Sequence, residues 1–332
     1  MNENRILDKI SRLFPSSRAT VGIGDDAAVI RFDGPRVITS DLLIEDIDFT
    51  ADVPLELTAR KSLAVNLSDI AAMGCVPEVF ILDLGIPPRN LDSIDRFLTA
   101  LAEEARRFDV ELIGGDLSSA ERLTISITMI GRPVPGRDPL LRSGARAGDA
   151  LYVSRPLGGS HAGLKLIENG WSADETCGVS SPEGDFGYMQ REFAGTAIRR
   201  HLLPEPEVEL GKRLAGLASS CIDNSDGLSS DVRHLCEASG CGAVIEWERV
   251  PLLPDLARVG PSLGIDPEFA ALHGGEEFSL LFTSGERESV LSQRFGRPVY
   301  DIGRITPGRG IEISRNGTNE PLVERGFDHF ED

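Results

Sequence analysis

Residues 57–73, LTARKSLAVNLSDIAAM, constrain the chain most. They read as a helix on which Leu63, Val65, Leu67, Ile70 and Ala71 point in most directions. A helix apolar nearly all round is buried, so other layers must cover it on every side. Gly74 and then Pro77 end it. Its few polar residues, Lys61, Asn66 and Asp69, must face partners or a site, because a buried polar group left unpaired is costly. At roughly 100–200 residues per domain, 332 residues suggest two domains, each with its own core.

The flanking pattern alternates strands and helices. Residues 27–32, 37–41, 80–86, 111–114 and 123–130 read as strands, and 91–108 as a helix with Ile94, Phe97, Leu98, Leu101 and Ala105 on one face. Between Gly131 and Gly148, Pro133, Pro135, Gly136, Pro139 and Gly144 mark a junction, so the expected domains are 1–136 and 137–332. Beyond it, strands are expected at 151–154, 243–247, 278–282 and 300–305. Helices are expected near 160–168, 208–218 and 231–238. Residues 169–187, rich in Gly, Ser and acid, read as a loop or flap.

Charge and cysteine usage exclude several functions. Lys and Arg total 34 against 53 Asp and Glu, a net charge of −19. Phosphate-tracking proteins need a basic face, so a nucleic-acid polymer is excluded as a target, and an anionic membrane surface is disfavoured. Five scattered Cys form no disulfide framework, and no apolar run reaches the roughly 18–20 residues of a membrane span. The expectation is a cytoplasmic protein.

Short motif matches fail on context. Gly22-Ile-Gly24-Asp25-Asp26-Ala27 resembles a dinucleotide fingerprint, but two carboxylates occupy the turn and a strand follows instead of a helix. Asp185-Phe186-Gly187 lacks the other protein-kinase signatures. Asp223-Asn-Ser-Asp226-Gly227 fails as a calcium loop, since positions 1 and 12 would be Ile222 and Arg233.

What remains is a set of Asp residues beside Gly or Ser at the ends of apolar runs: Asp25-Asp26, Asp41, Ser68-Asp69, Asp116, and Asp223 with Asp226. Singly, each is an ordinary turn former or cap. Gathered at one sheet edge they would repel one another unless a hard cation held them. Mg2+ suits this, since it is usually bound by a few carboxylates together with substrate phosphates, which points to nucleotide chemistry without a P-loop.

GIGDDAAVI, ITSDLLIEDIDF, KSLAVNLSDIAAMG, LIGGD, LLRSGARAGD, IDNSDGLSSD, GGEEF and RGFDHF resemble, in this order, the motifs of the thiamine-monophosphate kinase family. That family belongs to the aminoimidazole ribonucleotide synthetase superfamily. RHL at 200–202, SDGL and FDHF look most specific to the kinase branch. The resemblance implies a two-domain α+β and α/β fold: an N-terminal α+β domain whose sheet pairs with a second subunit in a homodimer, and a C-terminal α/β sandwich completing the site.

It implies ATP- and Mg2+-dependent phosphorylation of thiamine monophosphate to the diphosphate by direct transfer. Asp26, Thr39, Ser40, Asp41, Asp69, Asp116, Asp223 and Asp226 resemble the ligands of several Mg2+ ions, with Asp69, Asp116 and Asp226 central to catalysis; Asp25 adjoins them. Asp116, Arg142 and Ser225 resemble ATP contacts. Asp48, Glu276 and Phe327 fall at substrate positions. The acceptor side departs from the family pattern: Asp48 stands where His is usual, Leu117 where Thr is, and GGEEF differs at Glu277. These departures keep two alternatives in view, a relative acting on another small molecule and a synthetase that activates an amide or carboxyl oxygen with ATP.

Overall fold

The computed structural model describes residues 3–323. The first half contains α1 (Glu3–Leu13), β1 (Ala19–Val21), β2 (Val29–Ile30), β3 (Val37–Ile44), α2 (Leu55–Ala72), β4 (Cys75–Ile86), α3 (Ile94–Arg107), β5 (Glu111–Ser119) and β6 (Thr124–Pro133). The expected apolar helix is α2, with Leu63 and Leu67 fully buried and Ile70 1% exposed. It packs on α3, on the sheet and on the second half of the chain. Truncating such a side chain to Ala typically costs about 2–5 kcal/mol, so α2 is an energetic centre as well as a geometric one.

The sheet has the order β3-β6-β4-β5, with only β4 and β5 parallel. Leu82, Leu84, Ile125, Ile127 and Met129 line its inner face. The outer face carries Ile38 and Leu42, 67% and 54% exposed. β4 begins at Cys75, earlier than the expected start at residue 80. Pro77 falls within a register shift, where its missing N–H costs the ladder little.

The second half contains β7 (Ala150–Val153), α4 (Gly159–Glu168), β8 (Ser172–Ala173), β9 (Val179–Ser180), α5 (Tyr188–Leu202), α6 (Val208–Leu214), β10 (Ser220–Asn224), α7 (Leu228–Ser239), β11 (Gly242–Glu246), α8 (Leu256–Val259), α9 (Pro267–His273), β12 (Ser279–Ser284), α10 (Glu288–Phe295), β13 (Tyr300–Thr306), β14 (Gly310–Arg315) and β15 (Thr318–Pro321). Seven strands form one sheet, β10-β12-β7-β13-β11-β14-β15. Strand alternation splits its apolar residues between two layers. Tyr152, Leu280 and Phe282 join α6 and α10 in the core shared with the first half. Leu151, Val153 and Leu281 join Val232 and Leu235 of α7 on the other face.

Several expectations change. Residues 169–187 include the small β8/β9 hairpin, and Trp171, 4% exposed, packs edge-on against Phe186. Helix α5 was absent from the expected elements, and α6 stops at Leu214 instead of 218 because Gly216 turns at φ +81°. All five cysteines lie among the described residues as free, buried thiols.

Candidate active site

A polar stripe crosses α2. Lys61, Ser68 and Asp69 stand at i, i+7 and i+8, which places them on one helical face. That face meets the second half of the chain. Ser68 Oγ donates to Asp223 Oδ2 at 2.8 Å, and Thr39 Oγ1 of β3 donates to Asp69 Oδ2. Lys61 Nζ lies 2.7 Å from Glu276 Oε1. Thr39, Asp69, Arg142 and Asp223 line a cleft of about 320 Å3 together with Val37, Ile38, Met73 and Ile222.

The electrostatics follow from burial. Asp41 is pushed up to about 7 by loss of water and then by the charge of Asp69. Asp223 is pushed up to about 7 by burial and by Asp69. Burial also raises Asp69, opposed by the Thr39 hydroxyl and the Arg142 guanidinium. The Arg142 segment is fastened to β10 by the bond from Cys221 N to Leu141 O, 2.9 Å. Asp41 Oδ2 and both polar atoms of the Asn224 side chain are buried with no hydrogen-bond partner among the described residues. The cleft therefore presents hard oxygen donors whose charge is only partly offset by Arg142, which is the setting a small divalent cation and phosphate groups satisfy.

Not every expected residue gathers here. Ser40 alternates to the opposite sheet face, where its hydroxyl meets Thr128 Oγ1 at 2.9 Å. Asp116 lies across the sheet on β5, paired in register with Asp83 on the outer face. Gly115 before it is required, because a Cβ there would sit 1.8 Å from Leu82 O. Asp25 and Asp26 are exposed on the turn before β2, with Asp26 N donating to Asp25 Oδ1. Asp48 accepts from Ile44 N at 2.7 Å and so caps the turn that follows β3. Ser225 and Asp226 lie at the end of β10, with Asp226 Oδ2 3.8 Å from His234 Nε2. Ser225 O receives Glu276 N at 2.7 Å, tying this loop to the GGEEF bend. Phe327 and the RGFDHF segment lie outside the described residues.

The AIR synthase related protein domain models match this chain, the N-terminal one over residues 24–132 and the C-terminal one over 146–316. The thiamine-monophosphate kinase of Escherichia coli K12 is 35% identical over 337 residues, covering 97% of each chain. The chain belongs to the thiamine-monophosphate kinase family. The crystal structure of the Stenotrophomonas maltophilia K279a thiamine-monophosphate kinase superposes with a TM-score of 0.79 at 30% identity, covering 94% of this chain and 96% of that one. AaThiL complexed with AMPPCP and TMP superposes at 0.76 with 29% identity, covering 99% and 97%. The two-domain α+β and α/β fold expected from the motifs is the fold of these enzymes.

Within this family member, two features went unassigned in the motif reading. Asp231, in the first turn of α7, is fully buried, and neither carboxylate oxygen has a hydrogen-bond partner among the described residues. Burial and then the charges of Asp223 and Asp226 raise it well above the carboxylate range. Its only sequence signal is its place at the end of IDNSDGLSSD. The second is the partner of Lys61, a residue already marked as needing one. It is Glu276, 215 positions along the chain.

Proposed function

We propose that this chain transfers the γ-phosphoryl group of ATP directly to the phosphate of thiamine monophosphate, giving thiamine diphosphate. The observation that carries this is the cleft in which Asp41, Asp69 and Asp223 converge with Arg142, in a chain that aligns end to end with AaThiL complexed with AMPPCP, an ATP analogue, and TMP. Thr39, Asp41, Asp69 and Asp223, with Asp226 at the rim, would hold Mg2+. Among the described residues no three His, Cys, Asp or Glu side chains stand close enough to enclose an ion alone. Phosphate oxygens and water would complete the coordination, as is usual for Mg2+. When bound, the metal supplies the positive charge that lets an acidic cleft accept two phosphorylated ligands.

The protein's own residues do the rest. Arg142 is a phosphate clamp, and Ser225 contacts the nucleotide. Ser68 holds Asp223 in place. A phosphate monoester is mostly ionised at neutral pH, its second pKa being about 6, so the acceptor needs no general base. Catalysis is alignment plus electrostatic stabilisation. Asp26, Ser40 and Asp116 keep their proposed metal role, and Asp116 its nucleotide role, on the family resemblance. Glu276, Asp48 and Phe327 are proposed for the acceptor side. The proposed domains meet at 136/137, and the exposed outer sheet face carrying Ile38 and Leu42 is proposed as the homodimer interface.

The test is incubation with ATP, Mg2+ and thiamine monophosphate, with thiamine diphosphate detected by chromatography. Asp69→Asn is expected to lower kcat roughly 100-fold or more while the far-ultraviolet circular dichroism is unchanged. Bound ATP without product would reject thiamine monophosphate as acceptor. It would favour a relative acting on another small molecule, a reading to which Asp48 lends weight because its carboxylate is committed to its own turn.

A further inference from the structure

Glu276 occupies an unusual position. Its backbone is left-handed at φ 59°, and Phe278 two residues on is at 47°, both uncommon for residues with side chains. The bend is bolted to the metal-site loop by Glu276 N to Ser225 O, 2.7 Å, and Phe278 N to Asn224 O, 2.8 Å. Gly275 permits this approach, since a Cβ there would lie 2.7 Å from Ser225 O. The strained backbone therefore aims one side chain from a fixed frame.

Two buried groups receive it. Lys61 Nζ, on a residue 3% exposed, is 2.7 Å from Oε1. His201 Nδ1, on a residue 6% exposed, is 3.2 Å from Oε2 and 3.1 Å from Ser160 Oγ. The carboxylate side chain itself stays 34% exposed. Burial opposes the charge of Glu276, but the Lys61 ammonium holds its carboxyl below the usual range. His201 is pushed down to about 3 by burial and Lys61, so it is a neutral ring at physiological pH. The hydrogen bond at Nδ1 is with the Ser160 hydroxyl, which can donate or accept, so Ser160 holds the ring beside the carboxylate.

We propose that Lys61 and His201 are positioning residues for acceptor recognition: they fix Glu276 so that its exposed edge accepts a hydrogen bond from an N–H group on the organic end of the phosphate acceptor. This rests on the reading of the acceptor as thiamine monophosphate, whose aminopyrimidine carries such a group. Lys61 and Asp69 are eight residues apart on α2, about 12 Å at 1.5 Å per residue. One helix face thus presents an organic-end contact and a phosphate-end contact at the separation an extended acceptor needs. The RHL motif gains a role by its histidine, through Glu276 and not through substrate.

A double-mutant cycle tests this on the full-length protein with Mg2+. Steady-state kinetics of the wild type, Lys61→Met, Glu276→Gln and the double variant are measured against both substrates. Each single change is expected to raise KM for thiamine monophosphate about tenfold, with KM for ATP within about twofold. The double variant is expected to be no worse than Glu276→Gln, because Lys61 acts through Glu276. Additive penalties, an equal rise in KM for ATP, or an unchanged KM for thiamine monophosphate in Lys61→Met would each overturn the proposal. Should Lys61→Met fail to fold, His201→Gln, which alters no charge, is read by the same criteria in the Glu276→Gln background. A wild type inactive on thiamine monophosphate rejects the functional reading and this inference with it. An active wild type with unaffected variants rejects the inference alone.

Discussion

Gly227 shows how tightly single residues are specified here. It sits at φ +104° after Asp226, and a Cβ would come within 2.9 Å of the His273 backbone carbon and oxygen. A backbone neighbour yields less easily than a side chain. Gly227→Ala is therefore expected to destabilise the protein by about 1–3 kcal/mol, read as a lower midpoint in urea denaturation. An unchanged midpoint would mean that the β10–α7 turn relaxes freely. The glycine was legible in DNSDG, as were Asp223 and Asp226. Asp231 was not, because SSDVR at a helix start looks like ordinary solvated sequence, and only the packing of α7 against the sheet buries it. Ser40 was half legible: the motif named it, but strand alternation sends its side chain away from Thr39 and Asp41.

At the scale of elements, the segment before β1 is docked by one carboxylate. Glu111 of β5 accepts from Ser16 Oγ, Ser17 N, Ser17 Oγ and Arg18 N at 2.6–2.9 Å. Burial raises its carboxyl, but these donors together draw it down to about 2 from an ordinary 4.5. A folded-state value below the unfolded one stabilises above the unfolded value and is lost as pH falls through the folded one. Amide exchange at Ser17 and Arg18 is therefore expected to accelerate, beyond its intrinsic pH trend, as pH drops from about 4.5 towards 2. Glu111→Gln should show faster exchange at neutral pH as well. Exchange that follows only the intrinsic trend would show that Glu111 does not dock the segment. Sequence pattern located α2, α3, β6 and four of the seven sandwich strands, β7, β11, β12 and β13, because each carries a clear apolar run or period, whereas β10, β14 and β15 went unread. It missed α5, whose contact surface is built from Phe193, Ala194, Ala197 and Ile198 beside Gly195. That helix is held by close approach to α4: a Cβ on Gly163 would lie 2.3 Å from Ala197 O. Small-residue packing of this kind leaves little amphipathic signature.

The whole molecule divides its acidity in two. Of 53 acids, seven are proposed site carboxylates (Asp25, Asp26, Asp41, Asp69, Asp116, Asp223, Asp226), leaving 46 against 34 bases. The remaining excess suits solubility and indicates no partner. The proposed assembly surface is instead the outer face of the first sheet. Sedimentation velocity is expected to show a dimer for the wild type and a monomer for Leu42→Glu, since Leu42 is 54% exposed on that face, on its edge strand β3. A monomeric wild type would remove this interface from the account.

The buried cysteines have a consequence for how the molecule can be watched. Burial pushes the thiols of Cys75 and Cys236 up to about 11 and 12, and that of Cys221 still further. A thiolate is the reactive form, so an alkylating reagent is doubly refused, by access and by protonation. Modification then has to wait for the native structure to open. Each chain carries five silent clocks that run only during openings, and the one at Cys221 stands two residues from Asp223, where it times the cleft itself.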